Sequence, residues 1–167
     1  MMPPKKTKYY DDFQTPEFAL DILVPYLRKE WIIWECASGK GNLVRGLIKR
    51  GFKVIGTDII HGFDFFKWTP KKFDCIVTNP PYSMKDRFLE RAYELGKPFA
   101  LLLPITALEG ERRQRLFRKY GIQLIIPNKR INFEVPNGRD YGSWFLSAWF
   151  TWGLDLPKEL NFVKVKW

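Results

Sequence analysis

The sequence predicts an α/β fold in which a mostly parallel central sheet carries helices on both faces. Three observations predict it. Short, almost wholly apolar runs recur along the 167 residues, as strands buried on both faces do. Segments with helical spacing stand between them, the alternation that builds crossover units. Glycines, acids and an amide (Gly39, Gly41, Asp58, Asn79) stand where the runs end. That end of such a sheet holds ligands.

Each element has a local reason. Residues 16–28 place Phe18, Ile22, Leu23 and Leu27 at helical spacing, with Pro16 suited to a first turn and Pro25 expected to bend the helix. Residues 31–36 read as a buried strand, 42–49 as a helix and 53–57 as a second strand. Residues 73–78 read as a strand, and 85–95 as a helix with Phe88, Leu89, Ala92 and Leu95 on one side. Residues 99–103 read as a strand, 111–120 as a charged helix and 123–126 as a short strand. Residues 143–151, nearly all apolar, read as a central or late strand.

Composition limits the options. Apolar residues make up 46% and aromatics 17%, which suits one globular domain with a real core. Residues 1–8 read as a flexible basic arm and 9–167 as a single domain. No apolar run approaches membrane-spanning length, and no secretory leader pattern opens the chain. Cys36 and Cys75 lie in strand-like runs, as buried reduced thiols of a cytoplasmic protein. His61 has too few soft ligands near it to suggest a metal, so none is expected. Lys plus Arg number 28 against 18 Asp plus Glu, a formal charge of +10, which favours polyanionic partners.

Asn79-Pro80-Pro81-Tyr82 follows the run 73–78. Two prolines stop the ladder and remove two donors. The Asn oxygen and the next carbonyl can then face a planar ligand bearing an exocyclic amine, with a ring beside it. A strand-ending turn with a core-plugging tyrosine accounts for the four residues equally well; their place at a strand's carboxyl end favours a site. Upstream, Glu35-Cys36-Ala37-Ser38-Gly39-Lys40-Gly41 is a partial glycine-rich turn before a helix. Its acid would repel a phosphate and welcome an amine or cation. Asp58 ends the second strand, where an acid can bind ribose hydroxyls; a turn cap is the equal alternative. Asp64-Phe65 could contact an adenine, or be a loop with core anchors.

The order of these motifs resembles the S-adenosylmethionine-dependent amino methyltransferases, closest to the DNA adenine N6-methyltransferases. Phe13-Gln14-Thr15-Pro16 resembles their methionine-holding segment, and residues 35–41 their acidic glycine-rich loop. Asp58 with Ile59 and the pair Asp64-Phe65 resemble their ribose and adenine contacts. Asn79-Pro80-Pro81-Tyr82 matches their catalytic tetrapeptide letter for letter, and Arg130-Ile131-Asn132-Phe133 resembles a segment supplying a second ring. The resemblance spans residues 13–151.

It implies a Rossmann-like methyltransferase fold with S-adenosyl-L-methionine as cofactor. It assigns Thr15, Pro16, Glu35, Ala37, Gly39, Gly41, Asp58, Ile59, Asp64, Phe65 and Asn79 to the cofactor. Asn79, Pro80, Pro81 and Tyr82 are the catalytic set. Tyr82 and Phe133 would sandwich a flipped or unpaired base, and Lys129, Arg130 and Arg139 would meet phosphates. The Arg112, Arg113, Arg115, Arg118 and Lys119 cluster reads as easily as a solvated helix face. Cys36 stands where the family has proline. No segment is long enough for a recognition domain, so a short or loose target, a specificity subunit or a homodimer is implied. DNA stands ahead of RNA as partner. The same tetrapeptide serves relatives acting on cytosine N4, RNA or a glutamine amide, and a binding module without catalysis is the alternative from another class.

Overall fold

The computed structural model describes residues 15–132 and 145–166. Seven strands form one sheet in the order β2-β1-β3-β4-β6-β5-β7: β1 Ile32–Glu35, β2 Lys53–Gly56, β3 Cys75–Thr78, β4 Phe99–Pro104, β5 Gln123–Pro127, β6 Ser147–Trp152 and β7 Leu160–Val163. Only β6 runs against its neighbours β4 and β5; every other pairing is parallel. The α/β reading of the sequence is therefore the observed architecture. Strand order reverses between β1 and β3, which opens a crevice beyond their carboxyl ends.

Alternation along each strand sends side chains to two separate cores. Ile33, Cys75, Val77, Ala100, Leu102, Ile125 and Trp149 face one layer. There α1 (Phe18–Asp21) and α2 (Asn42–Lys49) pack through Ala19, Leu20, Leu43 and Leu47. Trp34, Ile76, Phe99, Leu101, Leu124, Ala148 and Phe150 face the other. It is covered by α3 (Lys85–Leu95) through Phe88, Leu89, Ala92 and Tyr93, and by α4 (Glu111–Tyr120) through Leu116 and Phe117. Cys36 and Cys75 are both buried, in opposite layers.

Three details depart from the sequence reading. The helix expected over 16–28 is only the single turn of α1, followed by a 3₁₀ turn at Val24–Tyr26. Pro25 has no N–H to continue the ladder. Residues 160–163 form an additional parallel edge strand, too short and too exposed for its pattern to announce it. The final long strand begins at Ser147 and extends through Trp152. On α4 the cationic cluster is mostly a solvated face: Arg112, Arg115, Arg118 and Lys119 are exposed, while Arg113 pairs with Asp86 of α3 at 2.6 Å, Arg112 with Glu90 of α3 and Arg118 with Glu111 of α4 itself. Among the described residues no helix is long and apolar enough to cross a membrane.

Candidate active site

Glu35 ends β1 and is 1% exposed. Its Oε1 accepts the Ala37 N–H at 3.0 Å and the Thr78 hydroxyl. Burial in this apolar floor pushes its carboxyl from 4.5 up to about 8, against the pull of those two donors. Burial thus disfavours the ionised form of this acid.

The chain after Glu35 turns sharply. Gly39 and Gly41 adopt φ of 50° and 87°, which L side chains rarely take. The Gly41 N–H closes onto the Ser38 carbonyl at 2.7 Å, and α2 starts directly behind without a side-chain cap. Its first amides therefore face the crevice end of the sheet without a capping side chain.

Asp58, 8% exposed, stands two residues beyond β2, which ends at Gly56, and fastens this loop to the next. One carboxylate oxygen accepts Gly39 N–H at 2.8 Å, and the other accepts Ile60 N–H at 3.0 Å. The turn it caps presents Ile59 and Ile60 to solvent, 65% and 70% exposed. Such apolar side chains beside a buried acid suit the flat face of a base next to a sugar. Asp64 caps its own turn by accepting Phe66 N–H at 2.9 Å. Phe65 differs from the expected ligand-facing ring. It is 4% exposed, stacked on Phe88 at 4.8 Å and flanked by Trp34 and Phe66.

Asn79 follows β3 immediately. Its Nδ2 donates to the buried Thr15 hydroxyl at 3.0 Å. Its Oδ1 is buried and has no hydrogen-bond partner among the described residues. An orphaned buried acceptor is costly and needs an explanation. The pairing with Thr15 fixes which way the amide points. Thr15 is itself held near β3 because α1 is anchored to the sheet: Trp149 Nε1 donates to the Ala19 carbonyl at 2.8 Å.

Pro80 is buried, and Pro81 leads into a 3₁₀ turn over Tyr82–Met84. The Tyr82 ring lies between both cores, 5.8 Å from Phe145, with its hydroxyl 3.5 Å from Ser147 Oγ at the start of β6. Burial raises the phenol's pKa, so it stays neutral. Lys129 and Arg130 leave β5 exposed at the same rim of the sheet. Phe13, Gln14, Phe133 and Arg139 lie outside the described residues.

Glu35 is thus linked through Thr78 to the neighbouring Asn79–Thr15 pair, and Gly39 to Asp58, across the ends of β1, β2 and β3. Three contributors escaped sequence reasoning: Thr78, Ile60 and Ser147. A hydroxyl residue inside an otherwise apolar strand was the available signal for Thr78 and Ser147.

No protein-family model matches the sequence, and no curated protein matches it. The fold does match solved structures. The methyltransferase subunit of a type I restriction-modification system from Streptococcus thermophilus aligns with a TM-score of 0.59 at 15% identity, over 92% of this chain and 47% of that one. A modification subunit assigned to a type I restriction enzyme of Vibrio vulnificus aligns at 0.58 and 11%, over 93% and 47%. A candidate RNA methyltransferase from Pyrococcus horikoshii aligns at 0.58 and 16%, over 90% of each chain. The fold is the Rossmann-like fold of methyltransferases. The chain spans about half the length of the two restriction-modification subunits.

Proposed function

We propose that this protein transfers a methyl group from S-adenosylmethionine to an exocyclic amino nitrogen, adenine N6 in DNA being the first reading. The observation that carries it is the buried Asn79 Oδ1 at the carboxyl end of β3, unpartnered among the described residues. An aromatic amine brings two N–H donors and a poorly nucleophilic lone pair. Asn79 Oδ1 and the Pro80 carbonyl would accept those donors and draw the nitrogen toward a tetrahedral shape. The lone pair is then free to attack, and fixed dipoles face the charge that develops on nitrogen. Tyr82 supplies a ring face for the base.

The other half of the crevice fits the cofactor. Gly39 and Gly41 permit close backbone approach, Asp58 offers its remaining lone pairs to ribose hydroxyls, and Ile59 offers apolar cover for adenine. Thr15 bonds Asn79 and Glu35 bonds Thr78 beside it; with Pro16 and Ala37 they would hold a charged methionine portion. When bound, S-adenosylmethionine supplies an electrophilic sulfonium methyl; its transfer leaves the thioether and frees one proton.

The second reading is the same chemistry on RNA. The alignment with the candidate RNA methyltransferase covers nearly all of both chains, whereas the restriction-modification subunits carry as much again beyond the match. Incubation with methyl-labelled cofactor and separate DNA, RNA and protein pools, followed by digestion, tests both. Label in N6-methyladenine from DNA is expected. Label confined to RNA selects the second reading, and tight cofactor binding without label in any pool refutes both.

A further inference from the structure

Among the described residues, strand β7 lies at the open edge of the sheet, bonded to β5 on one side only. Its side chains alternate beyond the strand itself. Asn161, Val163 and Val165 turn inward, while Leu160, Phe162, Lys164 and Lys166 are exposed. Edge strands are commonly blunted with lysine. A phenylalanine 76% exposed does the opposite and calls for an occupant.

The continuation past β7 is held in place. Asn128 N–H donates to the Val163 carbonyl at 3.0 Å, and Val165 N–H donates to Asn128 Oδ1 at 3.0 Å. Lys164 therefore stands beside the chain that leads to Lys129 and Arg130. In residues 156–166, Lys158, Lys164 and Lys166 face a single acid, Glu159. Register also relates this stripe to the pocket. Pro127 pairs with Val163, and the β5–β6 register of Ile125 with Trp149 continues to Pro127 beside Ser147. Val163 is therefore two strand spacings, about 10 Å, from the serine that meets Tyr82.

We infer that Phe162, Lys164 and Lys166 form a contact surface for single-stranded nucleic acid that leads the strand toward Asn79 and Tyr82. The lysines meet phosphates and Phe162 stacks on an unpaired base. The positive charge of the stripe selects a polyanion over a second copy of this basic chain. The inference rests on the proposed action on a nucleic acid.

Fluorescence anisotropy with a labelled single-stranded DNA of about 12 nucleotides tests it. The full-length K164Q/K166Q variant is expected to reduce the slope of log affinity against log salt by about 1.4, roughly 0.7 per lost phosphate contact. F162A is expected to weaken binding about fivefold or more with the slope unchanged. K71Q/K72Q, altered at the opposite rim before β3, should leave both unchanged. An unaltered slope in K164Q/K166Q overturns the inference. So does F162A dissolving a dimer in sedimentation while DNA affinity stays the same. If the wild type methylates the oligonucleotide and the variants keep its slope, only this surface is refuted. If the wild type neither binds nor methylates nucleic acid, the proposed function falls with it.

Discussion

Replacing Glu35 by Gln should make the protein less sensitive to pH and poorer at binding its cofactor. The side chain is 1% exposed, and its carboxyl titrates at about 8 in place of 4.5. Between those values the folded protein holds a proton that the unfolded chain has released. Stability from this group is therefore full below 4.5, falls as pH rises, and is lost on passing through 8. At about 1.4 kcal/mol per pH interval, the loss between pH 5 and pH 8 is roughly 3 kcal/mol. In a domain of this size that lowers the melting temperature by roughly 6–12 °C. Gln keeps an acceptor for Ala37 N–H and the Thr78 hydroxyl without a charge to desolvate. Thermal unfolding of both proteins from pH 5 to 8 should show a falling curve for the wild type and a flatter one for Glu35→Gln. Calorimetry at pH 7 should show the wild type releasing a proton as a cationic cofactor binds, and the variant binding more weakly without that release. Parallel stability curves and equal proton release in both proteins would refute the reasoning.

Three further outcomes follow from the same geometry. Thr15→Val removes the hydroxyl that Asn79 Nδ2 donates to; turnover should fall at least tenfold and further than cofactor affinity does, because the amide's orientation is lost together with one polar group of the proposed methionine site. Asp58→Ala leaves Gly39 N–H and Ile60 N–H without acceptors; about 1–3 kcal/mol of stability should go in chemical unfolding, and cofactor affinity should fall by calorimetry. Gly46→Ala gains about 1 kcal/mol of helix propensity but puts a methyl 2.6 Å from the buried Leu20 Cδ1. Overpacking costs typically about 1–3 kcal/mol, so a net loss is expected in a denaturation midpoint.

The layered fold was legible because its strands are buried on both faces. Runs such as 73–78 and 99–103 have no other use for so many apolar residues. Helices α2, α3 and α4 were legible from their spacing, and their observed bounds coincide with the expected ones. Pro25 was expected to bend a helix but ends it, because one missing N–H weighs more in a short helix than in a long one. Strand β7 was hidden because half of its side chains face solvent. At the site, the tetrapeptide and the glycine turn were visible as chain breaks at strand ends. The bonds that aim them were not: Thr15 and Asn79 stand 64 positions apart, and Glu35 and Thr78 stand 43 apart. Phe65 carried the right residue type for a ligand contact, but neighbouring Trp34 and Phe88 enclose it.

Asn79→Ala tests the central claim most directly. Single-turnover transfer of labelled methyl to adenine in single-stranded DNA should fall by at least about a hundredfold, as when one preorganised group is removed from a developing charge. Cofactor affinity should stay within about threefold, because Asp58 and the glycine turn are untouched. Transfer at the wild-type rate by Asn79→Ala, with N6-methyladenine as product, would contradict the account.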